Sequence, residues 1–293
     1  VIQVGKGAEV GVLVGRFQRR GQRLLLNAGQ IGLVRRLKIR RYIEHRKVLL
    51  HKMQAERIHR ADGRTLQQQL LAAQILLKPD CVLGLATGST PVGTYAQLIE
   101  QYQAGELDFS RVTTVNLDEY AGLAPEHEQS YRYFMQHNLF DHVNIRREST
   151  HVPSGLAEDA AEECRAYGRM IARLGGIDMQ LLGLGHNGHI GFNEPADVFP
   201  VHPHVVDLTK NTIRANARFF GSEGEVPHQA LTMGVGDIMR ARRILVAVSG
   251  EDKAEAVYRS FAGPVTPQVP ASVLQLHNDV TVIGDRAALS KIL

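Results

Sequence analysis

From about Lys78 to the end of the chain, short apolar runs alternate with segments whose apolar residues recur every three or four positions. The runs at 81–85, 112–117, 179–184, 244–249 and 280–283 are too short for helices and bounded by turn residues, so they predict buried strands. Between the first two, Tyr95, Leu98, Ile99 and Tyr102 fall at i, i+3, i+4 and i+7 and predict a helix. Ser89 or Thr90 can cap it, Pro91 suits its first position, and Gly105 follows its end. A second helix is expected over about 157–174, stopped by Gly175-Gly176, and a third after Gly250 through Lys253, Val257, Tyr258 and Phe261. This alternation predicts an α/β fold: one doubly wound, mainly parallel sheet with helices on both faces, Rossmann-like and three-layered.

The first 46 residues break the pattern, with short apolar patches, no clear period and no acidic residue before Glu44 except Glu9. The net charge of +4 hides the same break, since residues 1–64 hold 16 Lys+Arg against 4 Asp+Glu and the remainder is acidic. The expectation is a basic, poorly ordered N-terminal extension at 1–46 and a folded domain at 47–293, beginning with a strand-like run at 48–51. A start at Val1 rather than methionine is compatible with an upstream start placed too early, or with processing. Organelle transit peptides are also Arg-rich, but they are Ser-rich, and the first serine here is Ser89. A basic DNA-binding arm finds no helix-turn-helix spacing to support it before Leu66.

A chain of 293 residues that is 44% apolar can bury a full core. It shows no run approaching the roughly 18 apolar residues that span a bilayer, and no signal core, so a cytoplasmic, non-membrane protein is expected. Cys81 and Cys164 are far apart and have no Cys or His at metal-ligand spacing, which predicts buried thiols.

The candidate chemistry gathers at predicted strand ends. Thr87, Gly88, Ser89 and Thr90 form a tight turn into a helix N-terminus, where unpaired N–H groups and the helix dipole favour a phosphate. Asp118 and Glu119 follow the next strand, where open α/β sheets place ligand-binding groups; either could be a tuned proton shuttle or the cap of a turn. A third cluster, Gly183 to Pro195, holds His186, Asn187, His189 and Glu194. Its Gly183, Gly185 and Gly188 match G-x-G-x-x-G, but Pro195, Pro200 and Pro203 forbid the long helix that a dinucleotide fingerprint must open, despite Asp207 at a suitable distance. His186, His189 and Glu194 lack a helical i, i+4 frame for a metal, so none is expected, and His189 with Glu194 reads better as an acid/base pair. Arg218 and Lys253 add two cations; a lysine at a helix N-terminus opposes the dipole and calls for an anionic partner.

Taken in order, these segments resemble the glucosamine-6-phosphate deaminase family from about Val48 to the C-terminus. The shared elements are G-L-A-T-G-S-T-P ending at Pro91, N-L-D-E-Y ending at Tyr120, N-G-H-I-G-F-N-E-P from Asn187, N-A-R-F-F from Asn216, A-L-T-M-G-V-G from Ala230 and L-Q-L-H ending at His277. The resemblance implies that 47–293 is a catalytic domain and that Asp118 moves the proton between C2 and C1 of the sugar. It implies that His189, helped by Glu194, assists ring opening, and that Thr87 to Thr90, Arg218 and Lys253 hold the phosphate. It further implies that 208–232 is a mobile lid and that no metal or organic cofactor is needed. Some members carry Asp where this chain has Asn187, which can orient His189 but cannot offset its charge. Hexameric members place an Arg and a Lys at the positions of His204 and Val206 to grip an activating N-acetylglucosamine 6-phosphate, so no such activation is expected here. The implied partner is a sugar phosphate, with no nucleic acid and no membrane; monomer and homo-oligomer stay open. 6-Phosphogluconolactonase shares the fold but has D-E-R where this chain has D-E-Y, and lacks N-E-P. Galactosamine-6-phosphate deaminase differs only in sugar stereochemistry, and a sugar-phosphate-sensing regulator would need no acid/base set.

Overall fold

The computed structural model describes residues 2–3, 10–15, 63–217 and 220–293. Two strands, β1 (Ile2–Gln3) and β2 (Val10–Gly15), precede helix α1 (Gly63–Leu77). Strand β3 (Val82–Leu85), helix α2 (Ser89–Gln103) and strand β4 (Thr113–Asn116) follow, and the short β5 (Asp118–Tyr120) leads through a loop to α3 (Tyr131–Asn138). Next come β6 (Thr150–His151), α4 (Ala160–Arg173) and β7 (Met179–Leu182). The remainder is β8 (His204–Asp207), α5 (Lys210–Asn216), β9 (Gln229–Thr232), α6 (Val235–Met239), β10 (Ile244–Val248), α7 (Ala254–Phe261) and β11 (Val280–Asp285).

The main sheet runs β1-β2-β11-β10-β7-β3-β4-β6, and its six strands from β11 to β6 are parallel. Chain order runs outward from β3 through β4 to β6 on one side, and from β7 through β10 to β11 on the other. The crossovers on the two sides therefore place their helices on opposite faces, giving three layers and a topological switch between β3 and β7. Strands β3, β7 and β10 are buried along their whole length, which is why they read as continuous apolar runs rather than alternating ones. Each of the five expected strands is present, with ends moved by a residue or two; β7 stops at Leu182 because the glycine-rich turn peels away there.

Three features were not legible in the pattern. A second, antiparallel sheet, β5-β9-β8, stands apart from the parallel one. Helix α1 mixes apolar and polar side chains on its buried face: Leu71, Ala72 and Ile75 are buried beside Gln67, Gln68 and Gln74. The Thr94 hydroxyl donates to Gln67 Oε1 over 2.8 Å, so one of these amides is paired inside the core. The segment 1–46 also supplies β1 and β2, the latter antiparallel along the outer edge of β11. The strand-like run at 48–51 lies outside the described residues.

At the N-terminal end of the sheet, buried Asp178 fastens three elements: its Oδ2 accepts from the Val82 amide over 2.8 Å and from Lys78 Nζ over 2.7 Å, and its Oδ1 accepts from Arg242 over 2.9 Å. Both cysteines are buried and unpaired, and burial pushes the Cys81 thiol up to about 12 and the Cys164 thiol to about 11. Among the described residues no helix is long and apolar enough to cross a membrane.

Candidate active site

The turn after β3 enters α2 through Gly88, at φ 91 and ψ −175, where a β-carbon would be strained although nothing stands within 4 Å of it. Gly88, not Ser89 or Thr90, is the N-cap, because the chain turns there; Ser89 and Thr90 already lie within the first turn of the helix. No side chain caps the helix, so its first N–H groups stay available to an anion. Tyr95 secures this arrangement from within α2, its hydroxyl donating to the Ala86 carbonyl over 2.6 Å.

Asp118 opens β5 and pairs with Thr232 of β9. Its side chain is only 6% exposed, and among the described residues neither a hydrogen-bond donor nor a cation reaches its carboxylate. Burial, with the Glu119 charge adding, pushes its pKa up to about 8. The neighbouring Glu119 differs. Its carboxylate accepts from the backbone amides of Tyr120, Tyr131 and Arg132 at 2.8 to 2.9 Å, two of them at the start of α3. Burial still raises its pKa against those three donors, but the group is bonded into the structure as the cap that the sequence left as one option.

The loop after β7 opens no helix, in keeping with the proline argument. It is pinned to β9: the Phe192 amide donates to Thr232 Oγ1 over 3.1 Å, and Asn193 Nδ2 donates to the carbonyls of Ile190 and Met233. This brings Gly191 beside Asp118; a β-carbon on Gly191 would lie 3.3 Å from Asp118 Oδ2. The His189 ring lies over Gly185, where any β-carbon would approach it to 2.3 Å, so only glycine lets the ring occupy this place.

Hydrogen bonds settle the orientation of that ring. Glu194 is an acceptor only, and Asn187 Nδ2 and the Thr212 hydroxyl (2.7 Å) donate to its two oxygens. Asn187 must therefore turn Oδ1 toward His189, where it accepts from the backbone amide at 3.1 Å and faces Nδ1 at 2.8 Å. In the neutral ring Nδ1 therefore carries the proton and Nε2 keeps its lone pair. Glu194 Oε1 lies 3.5 Å from Nδ1. Burial raises the Glu194 pKa, but the hydrogen bond of His189, its charge when the ring is protonated, and the Thr212 and Asn187 bonds outweigh it and hold the group at about 2.

The turn after β10 carries Lys253, whose ammonium lies 3.2 Å from His186 Nδ1, while His186 Nε2 lies 2.5 Å from Asp252 Oδ2. Burial lowers the Lys253 pKa. The turns after β3, β7 and β10 stand on three adjacent strands, and β3 and β10 run roughly 10 Å apart with β7 between them. Arg218 lies outside the described residues. The segment 208–232 is described on either side of it: α5 reaches Glu194 through Thr212, Phe220 packs edge-on against Tyr120 at 5.8 Å, and Gln229–Thr232 is the central strand of the small sheet, buried from Ala230 on. Thr212 sits in no recognisable sequence pattern, and the His186–Asp252 contact is not visible in a sequence that offers His186 only as a metal ligand. Among the described residues, no three His, Cys, Asp or Glu side chains are grouped to hold a metal ion.

A model of the family described as glucosamine-6-phosphate isomerases/6-phosphogluconolactonase matches residues 45–283. The chain belongs to this family. Within it, a glucosamine-6-phosphate deaminase of Lachnoclostridium phytofermentans is 60% identical over 214 residues, covering 73% of this chain and 91% of that protein. One from Clostridium perfringens is 56% identical over 218 residues, covering 74% and 90%. The solved structure of a monomeric glucosamine-6-phosphate deaminase matches at TM-score 0.76 and 48% identity, over 78% of this chain and 95% of that one. The 6-phosphogluconolactonase of Trypanosoma brucei, at TM-score 0.61 and 19% identity over 80% and 97%, shares the fold. The level of identity puts the chain on the deaminase side of the family, as its motifs implied.

Proposed function

We propose that this protein converts D-glucosamine 6-phosphate and water to D-fructose 6-phosphate and ammonia. The observation that carries the mechanism is the contrast between a buried, unpartnered Asp118 and His189, on the loop whose Gly191 lies beside Asp118, with its tautomer set by Asn187 and Glu194. His189 Nε2 takes the proton from the anomeric hydroxyl and returns it to the ring oxygen, opening the sugar to its aldehyde. Asp118 then removes the proton at C2 to give an enolamine and delivers it to C1, leaving an imine at C2. Water adds to that imine, and ammonia leaves as the ketone forms. The substrate's ammonium at C2 supplies the cation that Asp118 lacks and draws its carboxyl toward the ionised form a base requires.

The N–H groups of the turn at Thr87, Gly88, Ser89 and Thr90, with Arg218 and Lys253, hold the phosphate. No redox cofactor is needed, since nothing is oxidised or reduced, and His189 and Asp118 supply the proton transfers without a metal. His204 and Val206 on β8 offer no pair of fixed cations, so N-acetylglucosamine 6-phosphate has no phosphate grip there and does not activate. Ammonia release by chelator-treated protein, assayed on glucosamine 6-phosphate and its galacto epimer, tests the reading. Turnover of the gluco epimer is expected, with a hyperbolic rate curve that the effector leaves in place. A preference for the galacto epimer, or activity restored only by a divalent ion, overturns it.

A further inference from the structure

We propose that His186 is a positioning residue of the phosphate end: braced by Asp252, it holds the Lys253 ammonium toward the substrate's phosphate. This rests on the reading of Lys253 as a phosphate ligand.

Lys253 closes a 3₁₀ turn, Glu251–Lys253, and stands at the N-cap of α7. The helix dipole repels a cation there and partial burial disfavours its charge, so without a local acceptor the flexible side chain has every reason to turn out to solvent. His186 is that acceptor. An ammonium has donors only, so the 3.2 Å contact requires the lone pair of His186 to be on Nδ1. Nε2 then carries the proton, and that proton meets the Asp252 carboxylate over 2.5 Å. Carboxylate, imidazole and ammonium admit one consistent placement of hydrogens.

The backbone beneath is anchored as well, because Asp285 Oδ2 accepts from Ser249 Oγ over 2.6 Å and from the Gly250 amide over 2.9 Å. His186 comes from the loop after β7, the strand that separates the β3 turn from the β10 turn. A phosphate shared by those two turns lies over this loop. The side chains of His186 and Asp252 are 67% and 61% exposed, so their pairing adds little to stability; its effect is on where the ammonium points.

Steady-state kinetics on glucosamine 6-phosphate, competitive inhibition by inorganic phosphate, and melting temperature are compared for wild type, His186→Ala, His186→Gln, Asp252→Asn and Lys253→Ala. Lys253→Ala is expected to raise KM and the phosphate inhibition constant by about tenfold or more. His186→Ala raises both by about threefold to tenfold, with kcat within about twofold and the melting temperature unchanged. His186→Gln, which keeps an acceptor and a donor, recovers part of the loss, and Asp252→Asn falls between His186→Ala and wild type. If Lys253→Ala raises both constants while His186→Ala raises neither, the positioning role is wrong and the phosphate reading stands. If His186→Ala lowers kcat and spares phosphate inhibition, His186 acts on the chemistry and the proposal fails. If Lys253→Ala changes neither constant, the phosphate reading falls and the proposal with it.

Discussion

Two aspartates are buried to the same degree at opposite ends of the parallel sheet. Asp178, 5% exposed below β7, meets the Val82 amide, Lys78 and Arg242. Asp118, 6% exposed at the C-terminal ends of the strands, meets no donor and no cation among the described residues. The first carboxylate is compensated on every side and fastens the sheet. The second keeps the full cost of desolvation, which appears as a raised proton affinity. Burial alone marks neither a fastener nor a base; burial without partners is what supports the proposed role of Asp118 as the base.

The largest expected effect separates the two aspartates by rate. Asp118→Asn should lower kcat by about 10² to 10⁴ and leave KM within a few-fold, because the proposed phosphate ligands lie at other strand ends. Wild-type ammonia release and C2 proton exchange in this variant would remove Asp118 from its role.

The same variant sharpens the contrast in stability. The folded-state pKa of Asp118 lies above its unfolded value, so the native state binds the extra proton and stability falls as pH rises from about 4 to about 8. Urea unfolding across this window should show a slope of up to about 1.4 kcal/mol per pH unit that Asp118→Asn removes. Equal slopes in the two proteins would contradict the raised pKa. Glu194 acts in the opposite sense: its depressed pKa contributes stability above about 4.5 that is lost as pH falls toward about 2.

Asp178→Ala should cost about 1 to 3 kcal/mol of stability, chiefly through the orphaned Val82 amide, since Lys78 and Arg242 can turn to solvent. Turnover by the folded fraction should be unchanged, and a parallel loss of kcat would break the distinction between fastener and base. The smallest effect concerns the front of the chain. The family match begins at residue 45, close to the charge boundary, so a chain starting at Lys47 should fold and turn over within about twofold of the full chain. Its sheet edge at β11 would lose β2, and an inactive or aggregated product would show that 1–46 is needed.

The parallel sheet was readable because strands buried on both faces leave unbroken apolar runs, as 244–248 does. The antiparallel sheet was not. β5, β8 and β9 are three or four residues long, and Asp118-Glu-Tyr120 and His204-Val-Val-Asp207 carry polar groups that belong to the site or the surface rather than to an apolar face. Helix α1 was hidden by glutamines that the core accepts once they are hydrogen-bonded. Within the site, Asp118, His189 and Glu194 stood out as acid/base types at strand ends, and the structure brings their loops together. What cannot be read from residue type is the wiring. That Glu194 takes a proton donor from Thr212, eighteen positions on, and that His186 turns to Lys253, sixty-seven positions on, depends on side chains meeting across separate elements.

The small sheet β5-β9-β8 also divides labour within the molecule. The turns proposed to hold the phosphate belong to β3 and β10 of the parallel sheet, whereas Asp118 is mounted on β5, and the His189 loop is tied to β9. Handle and reaction centre thus meet in the β7 loop, which carries His186 to Lys253 and His189 toward the small sheet, so a change in that loop reaches both.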